Sequence, residues 1–207
     1  MSREFDRQEI VQPPLDLTAV QIEEALNRVL QFPAVASKQF LITIGDRSIT
    51  GLVACQQMVG PWQVPVADAA VTMRGYTTVR GEAFAMGERS PLALINPAAA
   101  ARMAVAEALT NLVSADLEEI ERVVLSANWM AAAGSNLEEQ SLFDSVVAVG
   151  EEFCPSLGIA IPVGKDSLSM QTRWQENGEA KSVVSPVTLI VSAFAPVADV
   201  TRTSLPV

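Results

Sequence analysis

Apolar residues recur at helical spacing over Ile22, Ala25, Leu26, Val29 and Leu30, behind a Thr18-x-x-Gln21 pair with the form of a capping box. Phe32-Pro33 ends that run. Residues 40–44 (FLITI) carry a strand pattern, 45–47 (Gly-Asp-Arg) a turn, and 48–53 a second strand. A Gly-Pro loop at 57–63 leads into residues 64–72 (VPVADAAVT), an extended apolar segment interrupted by one acid, Asp68. Residues 92–95 form a further strand candidate. Asn96-Pro97 then opens the clearest helix, with asparagine suited to the cap, proline to the first helical position, and an alanine-rich run to Val113. Residues 123–126 read as a strand and enter the run SANWMAAAG. A second helix runs from Asn136, as cap with Glu139 near its third position, to about Leu157. Residues 159–162 lead into a Gly-Lys-Asp-Ser loop. Leu168, Met170, Thr172 and Trp174 alternate as on a strand, Asn177-Gly178 marks a hairpin, and 187–194 form the last strand.

Helices interspersed with antiparallel-looking strands predict an α+β fold, a mixed or antiparallel sheet with helices on one face. Segments such as FLITI, VPVADAAV and VTLIVSAF are apolar on both alternating faces, so the uncovered face of that sheet calls for a partner. Residues 1–16 mix charge with Pro13-Pro14 and show no steady period, which reads as a linker or disordered end. No internal repeat and no low-complexity segment stand out.

Composition narrows the chemistry. The 207 residues are 49% hydrophobic with a net charge of -10, enough for a core and contrary to nucleic-acid or anionic-lipid binding. With no histidine, Ser-His-Asp and Cys-His catalysis and His-ligated zinc are excluded. Cys55 and Cys154 form no CxxC pair, and the start, MSREFDRQEI, lacks the apolar stretch of a signal peptide, so the expectation is a cytoplasmic protein.

Three constellations remain. Glu107 and Asn111 stand four apart on the alanine-rich helix and present an acid and an amide from one face, while Asp68 could add a third oxygen. Such a set suits magnesium; the rival reading is a solvated helix stripe with an acid at a strand end. The run at 162–167 (PVGKDS) has the ingredients of a phosphate-binding turn, but not P-loop spacing, and a polar turn is the plainer reading. Lys38, one of only three lysines, precedes the first strand candidate and is either a nucleotide contact or an exposed boundary residue.

The strings TIGDRSITG, QMVGPWQVPVADAAV, GEAFAMGERSPLALI, AVAEALTN, LSANWMAAAG, GEEFCPSLGIAIPVGKDSLSM and TRWQE occur in order across residues 20–200. Together they resemble the large, single-chain type of the phosphoribosylformylglycinamidine synthase family. That resemblance implies the N-terminal aminoimidazole-ribonucleotide-synthetase-like domain of the second half, over 17–200. Residues 201–207 would begin a connection to a C-terminal domain outside this chain. It implies a sheet paired with that of a sister domain, and a glutaminase domain as a further partner. The implied reaction takes formylglycinamide ribonucleotide, ATP and glutamine to formylglycinamidine ribonucleotide, ADP, phosphate and glutamate.

Carried over residue by residue, the resemblance makes Asp68, Glu107 and Asn111 magnesium ligands, and Ala67 and Lys38 contacts to ATP or ADP. No catalytic residue, and no role for Lys165 or Asp166, follows from it. The glutaminase cysteine and histidine are not in these 207 residues, so the chain is expected to be inactive by itself and to self-associate as a homodimer. Two other readings compete: a dimerisation or scaffold module without chemistry, and a related synthetase acting on another ribonucleotide.

Overall fold

The computed structural model describes residues 7–8, 16–33, 35–45, 47–48 and 51–206. They divide into two compact units, Glu9–Ile49 and Met1–Gln8 with Thr50–Val207. Most of the linker read at 1–16, the turn residue Asp46, and residues 49–50 lie outside the described residues.

The smaller unit carries α1 (Ile22–Gln31) and α2 (Gln39–Ile44). Thr18 does not cap α1. Its amide and hydroxyl both donate to Asp16 Oδ1, at 2.9 and 2.6 Å, and the helix begins after Gln21. Residues 40–44, expected as a strand, are helical instead. A short apolar run has no decisive period, and no strand among the described residues of this unit is there to pair with it. Its backbone is satisfied locally, as where the Gly45 N–H donates to the Leu41 carbonyl at 3.1 Å.

The larger unit is built on a six-stranded sheet. Its strands are β1 (Val53–Cys55), β2 (Ala70–Met73), β3 (Gly81–Glu88), β4 (Val124–Met130), β5 (Ala160–Ser167) and, last in the chain, Thr188–Val197. An exposed hairpin of β6 (Gln171–Glu176) and β7 (Glu179–Val184) precedes that last strand, which is therefore β8. The sheet order is β1-β2-β3-β8-β4-β5, with only β4 and β5 parallel. It is the expected mixed α+β sheet, with helices on one face.

Two helices pack there. In α3 (Pro97–Leu112) the Asn96 side chain accepts from the Ala99 N–H at 2.9 Å, and Pro97 occupies the first turn. The other, α4 (Asn136–Val147), has Ser135 rather than Asn136 at its N-cap position, with no capping hydrogen bond from the Ser135 side chain, and Glu139 Oε1 accepts from Gly134 N–H at 2.9 Å. A π-helical stretch, Ala148–Phe153, and a last turn carry it on to Gly158, whose positive φ of 68° ends it.

The contact of α3 with β3 decides the local architecture. On β3 the inward positions are Gly81, Ala83, Ala85 and Gly87; on α3 they include Ala100, Ala101, Ala104 and Ala108. Two small-residue faces let helix and strand approach closely. β3 carries no strand signal in the sequence, because its segment contains no β-branched residue. Residues 92–95 are not a strand: Pro91 sits in the first turn of a 3₁₀ helix, Ser90–Leu94, and the N–H groups of Ile95 and Asn96 both donate to the Leu92 carbonyl. The Gly-Lys-Asp-Ser run is not a loop either. It is part of β5, where Lys165 pairs with Asn128 and Asp166 with Trp129 of β4, and the Lys165 ammonium donates to the Ser167 hydroxyl at 3.1 Å. Backbone N–H groups committed to a strand cannot curl around a phosphate, so the turn reading falls.

Candidate functional site

The pairing of β2 with β3 stops where Ala70 faces Phe84, four residues before β3 ends. The backbone of β3 beyond that point is taken up by two side chains from α3. Asn111 Nδ2 donates to the Met86 carbonyl at 3.1 Å, and Glu107 Oε2 accepts from the Glu88 N–H at 2.8 Å. Because 107 and 111 are one helical turn apart and 86 and 88 are two residues apart on a strand, the helix rise and the strand repeat match across the contact. The pair expected from the i, i+4 spacing is thus brought together, and it closes the free edge of β3.

Glu107 has a further neighbour that no local motif singles out. Arg89, the residue just after β3, lies with Nη2 3.0 Å from Glu107 Oε1. Its backbone is held in place, since Ser90 N–H donates to Glu88 Oε1 at 2.9 Å. Arg89 came to light only through tertiary structure, being eighteen residues away from Glu107 in the chain.

Asp68 stands exposed in the bend two residues before β2, with Ala69 buried in the core and Ala67 packed partly against it. Ala67 N–H donates to the Gln57 carbonyl at 2.8 Å and so closes the loop that starts at Gln57. Asp68 is thereby delivered at the end of β2 that borders the free edge of β3. Lys38 belongs to the smaller unit, where it precedes α2 and its ammonium donates to the carbonyls of Pro33 and Ala36.

The donor set fits a hard cation. Asn111 is anchored through its nitrogen, which leaves the amide oxygen as a ligand atom, and each Glu107 oxygen keeps a lone pair beyond its present contact. Among the described residues no three acids or cysteines converge as a metal-binding group, so a cation here would rely on the amide as well as the carboxylates. No helix among the described residues is long and apolar enough to cross a membrane.

The sequence profile of the FGAR-AT PurM_N-like domain matches residues 37–196, more than half of the chain. The chain belongs to that family. Solved structures of similar fold include Thermotoga maritima PurL complexed with ADP, 20% identical over 67% of this chain and 21% of that one, with a TM-score of 0.50. The same PurL complexed with FGAR is 20% identical over 67% of this chain and 20% of that one, again with a TM-score of 0.50. At this identity the likeness is one of fold, and the chain spans about a fifth of the length of these PurL chains. The family match covers Ala67, Asp68, Glu107, Asn111 and Lys38 alike.

Proposed function

We propose that this domain serves phosphoribosylformylglycinamidine synthase, the ATP- and glutamine-dependent ligase of purine biosynthesis, by holding magnesium and a nucleotide. Family membership supports the assignment to that enzyme, and so do the PurL structures of similar fold solved with ADP and with FGAR. The observation that carries the site is the closure of the β3 edge by Glu107 and Asn111. It fixes one carboxylate and one amide at the end of β3, and Asp68 precedes β2 toward the same end of the sheet, which supports a shared oxygen site. Magnesium bound there would supply charge neutralisation to phosphate oxygens, which the carboxylates by themselves repel. Ala67 offers close backbone approach for the nucleotide; Lys38, in the smaller unit, is by the family resemblance a nucleotide contact at a separate, auxiliary site. The acid groups bind the cation, the amide orients it, and no residue of the set performs proton transfer. Ammonia production and the remaining synthase chemistry fall to a glutaminase domain and to sister domains of the same fold, in the cytoplasm.

The competing reading is a dimerisation or scaffold module without ligands, favoured by the open apolar face of the sheet described below. Titration of the chain with Mn²⁺, followed by electron paramagnetic resonance, and with MgADP by calorimetry separates the two. The ligand-site reading expects saturable binding that weakens about tenfold or more in Glu107→Gln and Asp68→Asn. A folded chain that binds neither ligand sinks it and leaves the scaffold.

A further inference from the structure

We infer that Arg89 is a second, movable element of this site: a guanidinium that occupies Glu107 before a cation arrives and grips the phosphate afterwards. The inference rests on the cation-site reading above and adds a residue and a sequence of events to it. Arg89 Nη2 lies 3.0 Å from Glu107 Oε1, and the Arg89 side chain is 43% exposed against 25% for Glu107. The base of the arginine is fixed by the Ser90-to-Glu88 hydrogen bond, whereas its head reaches Glu107 through one nitrogen and, among the described residues, leaves the rest of its donor fork unspent.

The charges make this contact provisional. Glu88 and Glu107 bring two acids to one end of β3, and Arg89 is the guanidinium lying on the Glu107 carboxylate. A divalent cation at Glu107 carries twice the charge of the guanidinium and coordinates oxygen directly, so the two compete for the carboxylate. A half-exposed ion pair is weak enough to give way. Released, the guanidinium stays tethered one side chain from the cation, in reach of the phosphate oxygens that the cation attracts. Arginine is the side chain best shaped to hold phosphate through paired N–H donors. Free nucleotide and free cation would each bind the resting site poorly, and the two together would bind well.

The opposite signs of the expected effects provide the test. In Arg89→Ala, Mn²⁺ alone should bind about two- to fivefold tighter, since its competitor is gone. MgADP should bind about tenfold weaker in the same variant, since a phosphate grip is gone. Arg89→Lys, which keeps the charge and the fold but not the planar fork, should leave Mn²⁺ affinity near that of the unaltered chain and still weaken MgADP. Unchanged Mn²⁺ affinity or unchanged MgADP affinity in Arg89→Ala overturns the role of Arg89 while the cation site stands. Failure of the unaltered chain to bind Mn²⁺ removes the cation site itself, and Arg89 with it.

Discussion

Gly87 of β3 lies so close to Ala104 of α3 that a β-carbon at position 87 would stand 2.0 Å from the Ala104 carbonyl oxygen and 2.6 Å from the Ala108 nitrogen. Both obstacles are helix backbone and cannot step aside as a side-chain tip could. The side chains of Met86 and Glu88 point away from the helix, so glycine at 87 sets the spacing at which Asn111 and Glu107 reach the strand. Gly87→Ala is therefore expected to lower stability by about 3 kcal/mol, the upper part of the usual range for overpacking. It should also weaken cation binding by separating α3 from β3. Gly150→Ala, where an added carbon meets nothing within 4 Å, is the control and should be near neutral. Equal urea midpoints for both variants would show that α3 and β3 are less tightly joined than this contact requires.

The same contact shows what the sequence could and could not disclose. α3 was legible end to end because Asn96 and Pro97 are local signals whose effect does not depend on the rest of the fold. The hairpin was legible for the same reason, Asn177 and Gly178 both taking positive φ, 53° and 84°. β3 was not, because its case is tertiary: alternating glycine and alanine look like nothing until an alanine face lies across them. β5 was misread because glycine, lysine, acid and hydroxyl suggest a turn, while the strand alongside, β4, is found some thirty-five residues away. Of the site, the Glu107–Asn111 pair followed from helix geometry. The partners they bind, and Arg89, come from elsewhere in the chain.

Burial pushes the Glu138 carboxyl above the usual carboxylate range, a shift that the hydrogen bond from the Val187 N–H only partly offsets. Its Oε2 is buried without a hydrogen-bond partner among the described residues. A folded-state value raised above the unfolded one means the folded chain holds the proton more tightly. The contribution to stability is then full below the ordinary glutamate value, about 4.3, and is lost as pH rises through the folded value. Glu138→Gln keeps an acceptor for Val187 and removes the ionisation. It should be more stable than the unaltered chain at neutral pH, and its advantage should shrink toward pH 4. Urea midpoints across pH 4 to 7 that run parallel for the two proteins would contradict the burial argument.

The outward positions of the sheet lead to the last prediction. Phe84 of β3 and Phe194 of β8 stand side by side with ring centroids 5.0 Å apart, and Val124 of β4 continues their row. With Ala70, Thr72 and Pro196 they floor a shallow concavity of about 570 Å³ on the face away from the helices. Phe194 is 43% exposed and Met86, two residues along β3 from Phe84 on the same face, 48%, so this is apolar surface in water rather than core. At the rim Arg74 pairs with Glu82 at 3.5 Å, with Arg122 beyond. A face that is apolar in the middle and carries both charge signs at its edge is complementary to itself across a two-fold axis, where an arginine of one copy can meet the glutamate of the other. In the proposed synthase the cover would be a sister domain of the same fold; for this chain by itself the expected cover is a second copy. Sedimentation velocity at micromolar concentration should show a dimer, and Phe194→Asp should give a monomer with unchanged circular dichroism, because position 194 contributes to the open face and not to the buried one. A monomeric unaltered chain that also fails to bind an exposed-hydrophobe dye would mean that the phenylalanine row is already covered, and the two-fold pairing would have to be abandoned.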